Sequence, residues 1–462
     1  MTSRIPGVWW LAAVVACLLV NPYVRGDGNG YYAWLVSPVI DGDLNFTNQF
    51  RHADPLFQTL IFSEDGTVRP QALTATGRVG NQWSVGPAVL WAPLFLLAHA
   101  GVKVAQVFGS EIVADGFSWP YVWLVSMGTA LYGLAALWWS ARIATQLGYG
   151  RRAGLAALGI GLASSLPVYQ VFLPFHVHAL AACTVAAYAA YWVRRQSMGQ
   201  TRDWFWWGAL AGMMVQVYHL NIVLVIPALW QWWRLLQHRG PRVAAVSGLA
   251  FTAAAVLIGI PHLVGKAIVY GRPWITGYQD QFLWSEPRLW QTAFSANHGW
   301  ILWTPVVLLA LVGWVTVWRD HPGTRAWLIS MPVFYVVVAS YQNWHGQSSF
   351  GNRFFLSLTV WLVVGVAALA HQTAHHRWRR HAVPVVLAGL IVWNLGFMFQ
   401  WGTNIIPNRG PVSFRDVAIN QVTVVPARLT GFVRRYFGDR TGVRDDIERT
   451  DQRERRAYEV VR

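Results

Sequence analysis

Apolar runs long enough to cross a membrane as helices, about 17 to 25 residues each, recur along the whole chain and are separated by short polar gaps. The runs lie at 8–24, 119–147, 153–168, 179–193, 204–233, 243–264, 300–318, 326–341, 354–370 and 383–401. The run 204–233 has room for two helices joined by a tight hairpin turn near His219 and Asn221. The pattern therefore predicts about 11 membrane-spanning helices.

Arginines concentrate in the polar gaps, and by the positive-inside rule these gaps face the cytoplasm. They contain Arg151, Arg152, Arg194, Arg195, Arg202, Arg234, Arg239, Arg242, Arg319, Arg325, Arg377, Arg379 and Arg380. A further apolar run, 85–108, would place the first of these gaps outside if it crossed the membrane. We therefore predict that this run lies in or dips into the outer leaflet, as a helix broken by Gly86, Pro87 and Pro93.

This organisation is that of an all-α polytopic membrane protein. Residues 1–402 form the transmembrane domain, and its first extracytoplasmic loop, 25–120, carries juxtamembrane helices. Residues 403–462 form an amphipathic segment, which we predict at 417–437, followed by a mobile tail of mixed charge. We expect a multi-pass protein of the cytoplasmic (inner) membrane, with its active site on the extracytoplasmic side.

Composition supports this class. Of the 462 residues, 55% are hydrophobic and only 12% are charged, a balance that a soluble domain of this size could not place on its surface. The net charge of +16 comes from arginines that orient the helices, so we expect membrane lipid and no nucleic acid as a partner.

Asp27 is the first candidate for chemistry. The first apolar run ends in Arg25, Gly26 and Asp27, so a carboxylate lies just beyond a membrane-spanning helix. A charge at that depth is costly unless it has a partner or a purpose. We interpret Asp27 as a catalytic general base. The alternative is that it caps a helix starting near Asn29, and one residue can do both.

The same loop holds further acids. The acid-Gly-acid spacing of Asp41 and Asp43 suits a divalent cation or the hydroxyl groups of a sugar. An Asp-Gly pair is also a common turn signal, and we favour the turn. Arg51, His52 and Asp54 follow in a polar stretch, where we expect them to be solvated.

Arg353 is the candidate ligand for a phosphate. It lies where the polar loop 342–352 meets the next apolar run, which is headgroup depth. A guanidinium binds phosphate with two parallel hydrogen bonds. The alternative is an arginine that reaches the membrane surface without binding a ligand. His345, in the same loop, is placed to contact the same phosphate.

Three more histidines and one tyrosine complete the candidate substrate-binding set. His176 and His178 lie in a short outer turn, and without a third ligand at suitable spacing we expect hydrogen bonding rather than a metal site. His298 either lines the same cavity or forms part of a helix-entry turn, which we favour slightly. Tyr31 follows Asp27 within the first loop.

Four segments together resemble the GT-C superfamily of integral membrane glycosyltransferases, including its protein mannosyltransferase and aminoarabinose transferase branches. The segments are GDGNGYYAW, GNQWSVGPAVLWAPLF, LPFHVHAL and WHGQSSFGNRFF. The resemblance implies a polyprenyl-phosphate sugar donor and a glycan, lipid or protein acceptor. Such enzymes usually have a second acid directly after the aspartate of the first loop, whereas Gly28 stands here.

We therefore expect an inverting glycosyltransferase with Asp27 as base and Arg353 on the departing phosphate. The pattern indicates no definite cofactor, and it is compatible with a divalent cation. The alternative is a carrier or flippase for a lipid-linked saccharide, which predicts charged groups at the bilayer centre and broken helices in both halves. A third hypothesis is a non-catalytic membrane subunit that presents a partner.

Overall fold

A computed structural model describes residues 7–195 and 198–460, and within these ranges the chain is helical, with isolated β-bridges but no strand. The all-α class is thus confirmed. The helices of the first half are α1 Gly7–Leu19, α2 Asp27–Val36, α3 Thr47–Arg51, α4 Pro55–Ile61, α5 Gly86–Val107, α6 Trp119–Ala144, α7 Gly150–Ala163, α8 His178–Arg194 and α9 Thr201–Val217. Those of the second half are α10 Ile226–Arg239, α11 Pro241–Tyr270, α12 Leu289–Phe294, α13 Trp300–Trp303, α14 Val306–Asp320, α15 Arg325–Ser340, α16 Thr359–Ala374, α17 Ala382–Gly402, α18 Phe414–Gly438 and α19 Arg440–Val460.

Six helices in the described residues are long and apolar enough to cross a membrane, which confirms a membrane-embedded helical protein. They are Gly86–Val107, Trp119–Ala163, Pro241–Tyr270, Pro322–Ser340, Arg353–Ala374 and Ala382–Gly402. The number is smaller than about 11 because several predicted runs form shorter helices, such as α8, α9 and α14. The range Trp119–Ala163 itself contains two helices, α6 and α7, because the chain turns back at Gly148, whose φ is 91°. A β-carbon on Gly161 in α7 would lie 2.8 Å from Cδ1 of Leu137 in α6, so the two helices pack as an antiparallel pair.

Helix α16 forms the centre of the bundle. It packs against α6, α7, α8 and α14, and most of its residues are buried. Its contact with α14 is made through two glycines, since a β-carbon on Gly313 would overlap the carbonyl of Gly365. Small residues that let backbones approach are the usual means of packing helices in a membrane.

The predicted reversal of the chain within 204–233 is present. Gly208 in α9 faces Phe251 in α11, and Gly212 faces Ala255, so α9 and α11 run in the same direction. The intervening α10 must therefore return, and the chain turns in the 3-10 helix His219–Val225. The expected tight hairpin is not formed, because α10 packs against α11 and α15 instead of α9.

Helix α5 corrects the prediction of a broken segment at 85–108. It is a single helix of 22 residues, with Pro87 in its first turn and Pro93 in its interior. Proline suits the first turn, where its missing N–H would have no helical partner. An interior proline is tolerated in membrane helices because neighbouring groups satisfy the freed carbonyl.

The C-terminal region is helical to Val460. The amphipathic segment predicted at 417–437 lies within α18, which packs along α17. The charged end forms α19, and its residues Glu448 and Asp451 pair with Arg25. The structure therefore gives the tail, which we expected to be mobile, a specific docking place at the end of the molecule that carries Asp27.

Candidate functional site

A cavity of about 1520 Å³ opens where the first loop, the 173–178 turn and the 342–353 loop meet. Five of the candidate residues line it: Tyr31, His176, His178, His345 and Arg353. Asp27 lines it as well. The structure thus brings together six side chains that the sequence offered from three separate segments.

The centre of this site is an ion pair between Asp27 and Arg353. The Arg353 Nη2 donates to Asp27 Oδ2 at 2.8 Å, across 326 positions of sequence. The Arg353 side chain is only 12% exposed and that of Asp27 33%. The pair is therefore shielded from bulk water but accessible from the cavity.

Asp27 occupies the first turn of α2, and its side chain does not cap the helix. The helix-cap alternative is therefore wrong. The N-cap is Gly26, whose φ of 54° is a conformation that favours glycine. A carboxylate in the first turn gains from the helix dipole, and here it also points to Arg353.

Asp54 organises the turn before Asp27, and the expectation that it is solvated is wrong. It is 5% exposed and lines the cavity. Its Oδ2 accepts from the Gly26 backbone N–H at 2.8 Å and from the Asn29 amide at 2.6 Å. Its Oδ1 accepts from the Phe57 N–H at 3.1 Å, so the same carboxylate caps α4. The pair Asp54-Pro55 was the sequence signal for this cap.

Two glycines allow α2 to pack closely against its neighbours. A β-carbon on Gly28 would lie 2.7 Å from Cβ of Phe175, in the turn that carries His176. A β-carbon on Gly30 would overlap the indole ring of Trp83. Close approach at these two positions fixes the distance between Asp27 and the other walls of the cavity.

Lys266 supports the same region from behind, a role that sequence reasoning missed. It is completely buried, and its Nζ donates to the backbone carbonyls of Asn81, Gln82 and Trp83 at 2.7, 3.0 and 3.1 Å. Three charge-assisted bonds hold this stretch of the first loop in place. The stretch in turn supports α2 through Trp83.

The loop that delivers Arg353 is tightly turned, with positive φ at Gly346, Gln347 and Gly351. The amide of Asn352 donates to the Trp344 carbonyl at 2.9 Å and closes the loop on itself. The Nε of Arg353 is buried and has no hydrogen-bond partner. The guanidinium therefore keeps one donor free beside the cavity.

His176 is the third member of the central cluster. Burial lowers the pKa of His176 to about 3, so its ring is neutral near pH 7. Its Nδ1 lies 3.4 Å from Arg353 Nη1. Because a guanidinium can only donate, Nδ1 accepts this hydrogen bond. His176 thus orients Arg353 without adding positive charge.

Asp27 stays ionised in this setting. Burial alone would raise the pKa of Asp27, but the positive charge and hydrogen bond of Arg353 outweigh it, and the pKa lies below its usual value. A carboxylate in this state is ready to accept a proton. Its basicity is limited as long as Arg353 remains its partner.

His178 and His345 also line the cavity. His178 is 3% exposed and lies among the rings of Tyr169, Tyr218 and Phe354. The Nδ1 of His345 accepts from the Gln347 N–H at 3.0 Å, so its imidazole stabilises the turn before Arg353.

Three candidates lie outside the cavity lining. Asp41 accepts from the amides of Asn48 and Gln49, and Asp43 from the hydroxyl of Ser37, so both carboxylates serve local structure around an exposed turn. His298 is fully buried against Trp303, in a turn where its φ is 58°. The favoured turn interpretations of these residues agree with this placement.

One arm of the cavity is apolar and runs between α1, α17 and α18. We call it the apolar groove; its lining includes Leu19, Phe172, Leu395, Phe399, Leu429, Phe432 and Val433. The Tyr436 hydroxyl donates to the Leu19 carbonyl at 2.7 Å, which ties α18 to α1. Leu395, Leu429 and Val433 are each more than 40% exposed, so the groove opens to the outside of the bundle.

Within residues 7–195 and 198–460, no group of three or more His, Cys, Asp or Glu side chains is close enough to hold a metal ion. No protein-family model matches the chain, and no curated protein is significantly similar to it.

Proposed function

We propose that this protein is an inverting glycosyltransferase that moves a sugar from a polyprenyl-phosphate donor to a hydroxyl acceptor at the outer face of the cytoplasmic membrane. The observation that carries the proposal is the ion pair of Asp27 and Arg353. A potential base and a potential phosphate ligand lie in one cavity, and this cavity continues into a groove suited to a lipid chain.

The cavity favours an anionic amphiphile. Of its ionised side chains five are arginines and three are aspartates, so it has a surplus of positive charge. Arg353 has one carboxylate partner and an unused Nε–H, and a guanidinium is well suited to a phosphate. An isoprenoid chain would bury apolar surface in the apolar groove, with its phosphate at the polar end.

The reaction follows from these positions. The acceptor oxygen attacks the anomeric carbon of the donor while the bond from that carbon to the phosphate oxygen breaks, and the configuration inverts. Asp27 takes the proton of the acceptor hydroxyl, and the polyprenyl phosphate leaves as an anion on Arg353. When a phosphate engages the guanidinium, Asp27 loses part of its partner and becomes more basic. The base is then strongest when the donor is bound.

The proposal includes the finer architecture: about 11 spans in a GT-C-like arrangement, with the site on the extracytoplasmic side. The arginine-rich gaps support this orientation. The first loop also supports it, since its short helices α2 and α4 form part of the cavity wall together with the 173–178 turn.

The test is transfer by purified protein from a set of polyprenyl-phosphate sugars, comparing the wild type with Asp27→Asn. This change keeps size but removes basicity, so we expect loss of turnover by about 100-fold or more with donor binding retained. Asp43→Asn is the matched control, because Asp43 lies in the same loop but outside the cavity. Equal rates in the wild type and Asp27→Asn would refute the mechanism.

A carrier or flippase for a lipid-linked saccharide is the second candidate. The size of the cavity and its open apolar groove favour it, because both would also suit a lipid in transit. Translocation of a fluorescent polyprenyl-phosphate sugar across proteoliposomes, without transfer to any acceptor, would select this function. In that case Arg353→Gln should slow translocation, and Asp27→Asn should slow it much less.

A further inference from the structure

A second wall of the cavity is aromatic and leads from the surface to Arg353. We call it the aromatic wall and define it by Trp284, Phe282, Tyr341 and Phe354. Successive ring centroids are 5.2, 5.5 and 5.8 Å apart, and Phe354 lies beneath the Arg353 guanidinium at 5.8 Å. The outermost ring, Trp284, is 61% exposed.

This wall is held rigidly by backbone contacts. Phe282 and Tyr341 form an antiparallel β-bridge. The Leu283 N–H donates to the Ser340 carbonyl at 2.6 Å, and the Gln342 N–H donates to the Gln281 carbonyl at 2.8 Å. The loop before α12 is thereby fixed to the end of α15. A preformed surface loses little conformational freedom when it binds a ligand.

Polar side chains lie beside the rings of the aromatic wall. The Tyr341 hydroxyl donates to Gln281 Oε1 at 3.0 Å, and Thr276, Tyr278 and Asn343 line the cavity alongside. Hydroxyl and amide groups of this kind can both donate and accept hydrogen bonds. The residues that define the apolar groove are all aliphatic or phenylalanine, so the two arms of the cavity differ in chemistry.

We infer that the aromatic wall is a carbohydrate-binding site, and that the acceptor is a glycan chain whose terminal hydroxyl reaches Asp27. The C–H faces of sugar rings stack on aromatic side chains, while the sugar hydroxyls need partners such as those of Gln281 and Asn343. The assignment of this glycan as acceptor rests on the proposed transferase function. The presence of a carbohydrate site does not.

A lipid acceptor fits this wall less well. An acyl or isoprenoid chain on the wall would remove the amides and hydroxyls of Gln281, Tyr278 and Asn343 from water without giving them partners, which is unfavourable. The exposed end at Trp284 is also the end of the wall from which a long water-soluble chain can enter. The donor then occupies the apolar groove, and the two substrates meet at Asp27 and Arg353.

The experiment measures binding and transfer separately, with linear oligosaccharides of glucose, mannose, galactose and arabinose as probes. Trp284→Ala should weaken oligosaccharide binding by about tenfold or more. It should raise the acceptor KM similarly, with the donor KM unchanged, and Trp284→Phe should restore part of the affinity. Trp290→Ala is the matched control, because Trp290 is 72% exposed in the following helix but does not line the cavity.

The outcomes separate the two proposals. If an oligosaccharide binds and Trp284→Ala abolishes this while no transfer occurs, the carbohydrate site stands and the transferase function fails. If no oligosaccharide binds, or if Trp284→Ala and Trp290→Ala bind equally well, the carbohydrate site is refuted. Transfer to a lipid or protein acceptor at equal rates by both variants would refute the assignment of a glycan as acceptor, and would leave the transferase function intact.

Discussion

Removal of the positive charge from Arg353 tests how strongly Arg353 and Asp27 stabilise each other. Two unit charges about 4 Å apart interact by about 4 kcal/mol at an effective dielectric constant of about 20. The Asp27 side chain keeps 33% of its surface exposed, so water screens part of this energy. We therefore expect a coupling of about 2 kcal/mol, between the values for exposed and for fully buried pairs.

The assay is a double-mutant cycle on unfolding in detergent, using Arg353→Gln, Asp27→Asn and the double variant. Either single change leaves one uncompensated charge in the cavity, so the double variant should be more stable than the two single losses would predict. Arg435 and Asp446 provide the control, since their atoms are also 2.8 Å apart but both side chains are about half exposed. We expect no measurable coupling there. A coupling at Asp27 and Arg353 as small as in this control would show that the pair is not shielded, and would remove the basis for a shared site.

Three further results are expected. The pKa of Asp27 is lowered in the free protein, so kcat/KM should be lost only as the pH falls below the usual carboxyl range. In the complex the donor phosphate draws Arg353 away from Asp27, so kcat should be lost at a higher pH than kcat/KM. Gly30→Ala should destabilise the protein by about 1 to 3 kcal/mol through overlap with Trp83, whereas Gly101→Ala, in helix α5 with open space around it, should stabilise it slightly in the same thermal unfolding assay. Lys266→Met should lower the unfolding temperature and reduce turnover together, because three carbonyls lose their donor, and retained activity would show that this segment is held by other contacts.

The part of the site that follows from sequence is the part that lies at the ends of apolar runs. Asp27 and Arg353 each stand at such an end, and the cost of burying a charge there is a local argument that one sequence can carry. Asp54 and Lys266 act through partners that are distant in the chain or that belong to the backbone. Their burial depends on how the loop folds back, which hydropathy does not contain.

Some helix boundaries likewise follow from the local sequence, and others do not. Length and hydropathy identify the apolar runs, but α13 and α14 separate at Thr304, directly before Pro305, where the backbone leaves the helical conformation. The turn at Gly148 separates α6 from α7, as hydropathy predicts, and its φ of 91° is a conformation that favours glycine. The packing of α19 against Arg25 depends on a long-range ion pair, so it could not be predicted from hydropathy either.

Two arginines, Arg25 and Arg353, line the cavity near Asp27, and their surroundings decide which of them is suited to the phosphate of the proposed donor. Arg25 is held by Asp451 and lies 3.6 Å from Glu448, so a phosphate on Arg25 would have to compete with two carboxylates of α19. Arg353 has one carboxylate partner, which borders the cavity, a neutral His176 and an unpaired Nε–H. An incoming anion therefore competes with fewer carboxylates at Arg353 than at Arg25. The carboxylate that it displaces from Arg353 is Asp27, which is the group that must become basic. Arg25 is better explained as the anchor that fixes the C-terminal helix beside the site, which predicts that Arg25→Gln loosens α19 while donor affinity falls much less than in Arg353→Gln.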